Sequence, residues 1–219
     1  MSLYEKWRPM QFEEVLGQAR AVKLMRKVAR EPDKHARCWL YVGDPGVGKT
    51  TLALVTAQAT GCTDDMSGLH YVGPGEFRAD YAKQLWILLN RTTLQGSGWK
   101  CLIIDEGHDM SREAHDFLLG GVEKNLPPRT LVFITCNSVE WASEALQSRF
   151  MVLQFESGEE LKQAAARRLQ EIWDFETGGR RAAPNFSSLA GLNRKEDPLN
   201  IRAAINRLEQ AIMLLEDAG

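Results

Sequence analysis

Residues 43–50 read Gly43-Asp44-Pro45-Gly46-Val47-Gly48-Lys49-Thr50, and this stretch decides the fold of the chain. Its residue types stand at the spacing of a loop that binds phosphate groups through inward-pointing backbone N–H groups. In such a loop Lys49 reaches the outer phosphates and the Thr50 hydroxyl ligates a magnesium ion, while Thr51 lies at the same helix N-terminus. The stretch therefore predicts a binding site for a nucleoside triphosphate. An ordinary glycine-rich turn is the alternative.

The residues on either side of this loop supply the context that the motif requires. The apolar run Cys38–Val42 before it predicts a buried strand. Residues 49–60 after it predict a helix that ends at Gly61. A strand, a phosphate-binding loop and a helix thus follow one another in the expected order.

Length and composition indicate a soluble globular protein, because 219 residues with 44% hydrophobic side chains can build a sizeable core. We expect a protein that is not secreted and makes no membrane contact, since no apolar run could span a bilayer and no signal peptide is recognisable. A cytoplasmic location is expected, or one associated with the nucleoid or nucleus if the protein acts in replication. With 27 basic and 29 acidic residues, overall charge gives no attraction to nucleic acid, so any DNA contact must be a local patch. The four cysteines are widely spaced and indicate neither a zinc site nor a disulfide framework.

Apolar runs alternate with helical patterns after the loop, which is typical of a parallel sheet covered on both faces. We predict further strands at residues 69–72, 101–105, 131–136 and 151–155, with helices near residues 81–93, 111–124 and 141–148. Later residues predict only helices, near 159–173 and 186–192, and a final one with the apolar stripe Ile201, Ile205, Leu208, Ile212 and Leu215. The sequence therefore predicts an α/β domain with a five-stranded parallel sheet at residues 1–156 and a small all-helical domain at residues 157–219.

Two carboxylates, Asp105 and Glu106, follow the apolar residues 102–104 at the predicted carboxyl end of a strand. Ligands bind at that edge of a parallel sheet. We expect Asp105 to hold the magnesium ion, usually through its water, and Glu106 to act as the general base that polarises the attacking water. The alternative is that the two acids merely end a strand in solvent.

Three further polar residues follow predicted elements. Asn137 comes after a strand and could position the attacking water by hydrogen bonds, or could be a turn residue. Arg149 follows a short helix and could reach a neighbouring subunit's γ-phosphate as an arginine finger. Arg202 lies beside the apolar stripe of the last helix, where a helical lid could face nucleotide. A solvated surface role is the alternative for both arginines.

With these elements in order, the sequence resembles the AAA+ family of P-loop ATPases, and within it the clamp-loader branch that includes replication factor C small subunits. The opening residues 3–9 (LYEKWRP) and 12–18 (FEEVLGQ) resemble the clamp-loader segment that encloses adenine. The resemblance continues through the acid pair, residues 147–149 (QSR) and residues 200–206 (NIRAAIN). It implies that Asn137 is the first sensor, Arg149 the trans-acting finger and Arg202 the second sensor. It also implies adenine contacts at Tyr4, Arg8, Pro9 and Leu16; a hydrophobic staple tying the N-terminus to the core is the alternative.

The resemblance implies a protein that binds ATP and Mg²⁺, joins homologous subunits in a ring or spiral, and couples hydrolysis to loading a sliding clamp on primed DNA. DNA would be held by contacts to its backbone. The C-terminal collar domain of family loaders is not recognisable in a sequence that stops at Gly219, so either the sequence is a truncated loader or the protein is a minimal loader-like ATPase that assembles by other contacts. A helicase loader or another phage or mobile-element remodeller is one alternative, and a nucleotide-binding structural subunit that does not hydrolyse ATP is another.

Overall fold

The computed structural model describes residues 1–62, 68–92, 96–179, 183–189 and 199–216, with the side chains of the last helix described to residue 214. Five strands form one sheet, and every neighbouring pair is parallel, which confirms the predicted α/β class. Their order across the sheet is β2-β3-β4-β1-β5. The strands are β1 (Cys38–Val42), β2 (Leu69–Val72), β3 (Lys100–Ile104), β4 (Thr130–Cys136) and β5 (Met151–Gln154).

Helices surround this sheet and follow it. In chain order they are α1 (Leu3–Lys6), α2 (Ala19–Arg30), α3 (Lys49–Ala59), α4 (Ala79–Leu89), α5 (Arg112–Lys124), α6 (Glu144–Gln147), α7 (Glu159–Thr177), α8 (Phe186–Leu189) and α9 (Ile201–Glu216). Helix α2 lies outside the helices predicted from the sequence. The helix predicted at residues 141–148 is shorter, because the Ser143 hydroxyl accepts a hydrogen bond from the Leu146 N–H and starts α6 there. Part of the helix predicted at residues 186–192 lies outside the described residues.

The two faces of the sheet carry separate apolar clusters, since successive side chains of a strand point to opposite faces. Leu40, Leu102 and Ile104 pack with apolar residues of α4 and α5 on one face. Tyr41 and Phe133 belong to the other cluster, which also contains residues of α2, α3, α7 and α9. The C-terminal helices therefore share a continuous apolar cluster with the sheet, and the predicted division into two domains stays a proposal.

The strand order places the functional loops side by side. The loop after β1 lies next to the end of β4, and the end of β3 lies one strand farther along the same edge. Residues that follow β1, β3 and β4 can therefore meet at this edge. Within the described part of the chain, no helix has the length and apolar character needed to cross a membrane.

Candidate nucleotide-binding site

The loop between β1 and α3 needs glycine at two of its turns. Gly46 has a φ of 78° and Gly48 a φ of 99°, in the region that side chains rarely adopt. A Cβ at Gly46 would also collide with the Asn200 side chain, whereas a Cβ at Gly48 would meet no protein atom within 4 Å. The Gly46 carbonyl accepts a hydrogen bond of 3.1 Å from the Ile201 N–H, so this loop touches the start of α9.

Lys49 is buried, and its ammonium group is held at the mouth of the loop. Nζ donates to the carbonyl oxygens of Gly43 and Asp44 at 2.6 and 2.8 Å, and to Oδ1 of Asn137 at 3.2 Å. Burial lowers the pKa of Lys49 from its ordinary value. The structure thus brings the predicted phosphate-binding lysine together with the predicted first sensor.

Asp105 accepts hydrogen bonds from three hydroxyl groups. Its Oδ1 accepts from Thr50 at 2.7 Å and from Thr135 at 2.5 Å, and its Oδ2 accepts from the Tyr71 hydroxyl at 2.8 Å. Burial would raise the pKa of Asp105, but these hydrogen bonds outweigh it and lower the pKa. The two predicted metal-binding residues, Thr50 and Asp105, therefore lie in direct contact and offer the hard oxygen donors that suit Mg²⁺.

Glu106 follows Asp105 in a left-handed backbone conformation, with a φ of 50°. A non-glycine residue persists there only when its surroundings fix it. Its N–H donates to the Thr135 hydroxyl at 3.1 Å, so one threonine contacts both acidic residues. The hydroxyl groups that donate to the Asp105 carboxylate do not donate to the carboxylate of Glu106.

A cleft of about 750 Å³, including its open mouth, joins this loop to both ends of the chain. The N-terminal segment contributes all four residues predicted to contact adenine, and α9 contributes Arg202. Lys49, Thr50 and Thr51 line the same cleft. The four predicted adenine contacts are Tyr4, Arg8, Pro9 and Leu16. The remaining lining residues are Trp7, Glu14, Val15, Gly46, Val47, Gly48, Arg168, Ile201 and Ile205.

Tyr4 lies between two arginines at this cleft. Its ring centroid is 5.2 Å from the Arg8 guanidinium carbon and 4.9 Å from that of Arg202, and its hydroxyl accepts from both at 3.4 Å. Burial would raise the Tyr4 pKa, but the two arginines lower it. Tyr4 therefore connects the N-terminal segment to α9 across the cleft.

The position of Arg202 follows from how α9 begins. The Asn200 side-chain oxygen accepts a hydrogen bond of 3.0 Å from the Ala203 N–H, which caps the helix. The Ile201 N–H donates to the Gly46 carbonyl, which anchors this end of the helix to the phosphate-binding loop. Arg202 is thereby fixed at the edge of the cleft, where the resemblance places the second sensor.

Arg149 is not among the residues that line the cleft, and neither are Asp105, Glu106 and Asn137. Its Nη1 donates to the Ala145 carbonyl at 2.7 Å, and its Nη2 forms an ion pair with Oε2 of Glu123 at 3.0 Å. The guanidinium is therefore held on the outer surface of α5 and α6. The role of Arg149 as an arginine finger in a neighbouring subunit therefore stays a prediction.

Tyr71, Thr135 and Arg168 are among the site residues that were not predicted from the sequence. Tyr71 and Thr135 both donate to Asp105, and Arg168 of α7 lines the cleft with its guanidinium carbon 5.1 Å from the Trp7 ring centroid. Thr135 stands at the end of β4 next to Asn137, so its position at the functional edge could have been inferred. Nothing in the local sequence identifies Tyr71 or Arg168.

Comparison with known proteins assigns the chain to a family. Residues 39–157, more than half of the chain, match the profile of the family described as "ATPase family associated with various cellular activities (AAA)". DNA polymerase III subunit gamma of Buchnera aphidicola is 29% identical over 172 residues, which cover 69% of this chain and 46% of that protein. Replication factor C small subunit of Saccharolobus solfataricus is 26% identical over 159 residues, with the same two coverages of 69% and 46%.

The chain spans just under half the length of these two curated relatives. Among solved structures, the RuvB Holliday junction branch migration motor of Thermotoga maritima superposes with a TM-score of 0.58 at 23% identity. That likeness covers 93% of this chain and 72% of the other, and it supports the fold. The profile match and the curated relatives together show that the chain belongs to the AAA ATPase family and is related to clamp-loader subunits.

Proposed function

We propose that the chain is a clamp-loader-like motor subunit that binds ATP with Mg²⁺ in the cleft and couples hydrolysis to loading a sliding clamp on primed DNA during replication. One observation carries the ATPase part of the proposal. Lys49 contacts Asn137 while Thr50 contacts Asp105, so the groups needed for phosphate, metal and water lie at one sheet edge. The relatives that act in DNA replication support the clamp-loading part.

Each group has a role set by its chemistry. Lys49 and the loop N–H groups bind the phosphates, and Thr50 and Asp105 would hold the magnesium ion, which neutralises charge on the phosphates. Glu106 accepts a proton from the attacking water, and Asn137 orients that water. Arg202, at the start of α9, binds the γ-phosphate and links its presence to the position of the helix.

The apolar part of the cleft suits a purine base. Pro9, Val15, Leu16 and Ile205 offer aliphatic surface beside the phosphate-binding loop. Tyr4 and Arg8 lie at the same opening. We assign adenine to this part of the cleft, because aliphatic and ring surfaces stack on a base while nearby backbone groups read its edge.

Arg149 completes the site of the next subunit in this proposal. Its guanidinium is bound within its own subunit by Ala145 and Glu123, and the side chain is partly exposed. ATP would then favour a ring or spiral, and hydrolysis would weaken the contact between neighbours. The assembly that forms with ATP would hold the clamp and the DNA.

Steady-state phosphate release with primed DNA tests the ATPase. Turnover that disappears in Glu106→Gln is expected; no turnover by the wild-type chain, even with its partners, would favour a structural subunit. A second measurement separates two kinds of motor. Glu106→Gln retains ATP, so a sliding clamp should co-purify with it in ATP, whereas recovery of a replicative helicase instead would favour a helicase loader.

A further inference from the structure

Helix α2 carries an unusual set of charges. Among its twelve residues are five basic and no acidic ones, although the whole chain has a net charge of −2. Four of the basic side chains are exposed, and none of the four has a hydrogen bond or ion pair within the described part of the chain. These four, which we call the α2 stripe, are Arg20, Lys23, Lys27 and Arg30.

The α2 stripe lies along one side of the helix. Steps of three, four and three residues place its members within an arc of about 80°, over about 15 Å of helix axis. The fifth basic residue, Arg26, is outside the stripe and forms an ion pair with Glu13 at 2.7 Å. The result is a line of four like charges at intervals of about 4.5 to 6 Å along the helix axis.

This arrangement works against the stability of the helix itself. Like charges three or four positions apart, such as Lys23 and Lys27, destabilise a helix by about 0.2–0.5 kcal/mol per pair. Arg20 stands in the first turn, where the helix dipole favours an acidic residue, and that turn has none. Lys27 and Arg30 stand in the last turn, where the same dipole favours a cation. Helix stability therefore gives no reason for Arg20 and Lys23, or for an unbroken line of four like charges, whereas binding to a polyanion does.

The opposite side of α2 is already covered. Ala21, Met25 and Val28 are buried in the apolar cluster shared with α3. A helix that lies in a membrane surface must insert its apolar side into the lipid, which this packing prevents. Acidic residues near the stripe include Asp33 and Glu31, of which Glu31 pairs with Lys34, and Glu156 and Glu160, which line a groove with Arg20.

We propose that the α2 stripe binds the phosphate backbone of duplex DNA. The inference rests on the proposed DNA-coupled function and assigns a contact surface to it. About 15 Å of B-form duplex presents four to five phosphates on each strand, at 3.4 Å per phosphate. This density of phosphates is at least that of four cations along 15 Å, so each cation of the α2 stripe can meet a phosphate, whereas the isolated carboxylates of an acidic protein surface carry no such density of charge. The contact reads no sequence, because it is made to phosphates alone.

The test compares two variants that lose the same charge. The first replaces Arg20, Lys23, Lys27 and Arg30 by Gln. The matched control replaces four exposed basic residues of the α4 and α5 region by Gln, namely Arg78, Lys83, Arg112 and Lys124. Binding of the full-length chain to a labelled primed duplex is measured with a slowly hydrolysed ATP analogue, from 50 to 200 mM salt.

Release of counterions from four phosphates makes log K fall with log salt by a slope of about 3.6, which is about 150-fold in affinity over this range. The α2 variant should lose that part of the slope, and the control should keep it. The α2 variant should melt close to the wild type, because the repulsion that it removes offsets the favourable position of Lys27 and Arg30 in the last turn. Its ATP turnover without DNA should stay at the wild-type level.

Three results would overturn the inference while leaving the ATPase intact. They are DNA binding by the α2 variant with the wild-type salt slope, equal losses in both variants, and a stripe-dependent binding to phosphatidylserine vesicles with unchanged DNA binding. If the wild-type chain hydrolyses ATP but binds no DNA, the inference and the DNA part of the proposed function are both wrong. If the wild-type chain does not hydrolyse ATP, the ATPase part of the proposed function is wrong. Measuring ATP turnover and DNA binding on the same preparation distinguishes this failure from a failure of DNA binding alone.

Discussion

The guanidinium of Arg149 is bound by its own subunit through Glu123, with Nη2 and Oε2 3.0 Å apart. The Arg149 side chain is 28% exposed and that of Glu123 is 49% exposed. An ion pair this exposed adds little to folding stability. Ordering an arginine side chain costs up to about 2 kcal/mol in conformational entropy. The ion pair therefore fixes the direction in which the Arg149 side chain points.

Arg149→Ala should leave nucleotide affinity near the wild-type value and reduce turnover by at least about 1,000-fold, because the lost charge acts on the transition state of a neighbour. Calorimetry measures the affinity and phosphate release measures the turnover. Equal turnover in dilute monomer and in the assembly would contradict a role across subunits.

Glu123→Gln should reduce turnover about fivefold with an unchanged KM for ATP, as expected for one hydrogen bond worth about 1 kcal/mol. In an Arg149→Ala background the same substitution should have no further effect. Glu113→Gln, which changes an exposed acid on the same helix, is the matched control. Additive losses in the double variant would show that Glu123 acts independently of Arg149.

Lys49→Ala should weaken ATP binding itself, since Lys49 is the cation at the mouth of the phosphate-binding loop. We expect loss of at least about tenfold in affinity by calorimetry, as when a charged hydrogen bond is removed. Lys124→Ala, on the exposed end of α5, provides the control for loss of a lysine. Unchanged affinity in Lys49→Ala would contradict the assignment of the loop.

Tyr71→Phe should raise the Mg²⁺ concentration needed for half-maximal turnover by about tenfold, because a residue that orients a metal-binding carboxylate is removed. The hydrogen bond lowers the Asp105 pKa, so its loss should also move the acid limb of the activity profile to higher pH. Tyr81→Phe, on the exposed side of α4, is the control. An unchanged Mg²⁺ requirement would rule out this role for Tyr71.

Local motifs were sufficient to predict the core of the candidate site. The loop at residues 43–50 and the acid pair each carry their chemistry within a few residues, so the Thr50–Asp105 contact could be expected once both were placed on parallel strands. Tyr71 could not be found in this way. Its hydroxyl reaches Asp105 only because β2 pairs with β3 in one particular register.

Arg168 is another site residue that could not be predicted from local sequence. Arg168 reaches the cleft because α7 packs beside the N-terminal segment, and no local pattern gives that direction. Helix α2 is a different case. The spacing of Ala21, Met25 and Val28 by four and three residues predicts a helix, and the basic residues on the opposite face strengthen that periodicity, so α2 could have been predicted from the sequence.

The central claim is that Arg149 of one subunit completes the nucleotide site of another. Glu106→Gln subunits keep the finger but lack the base, and Arg149→Ala subunits keep the base but lack the finger. In an equal mixture about one interface in four combines an intact base with an intact finger, so turnover should return to about a quarter of the wild-type rate. A mixture no more active than the two variants measured separately would contradict the account.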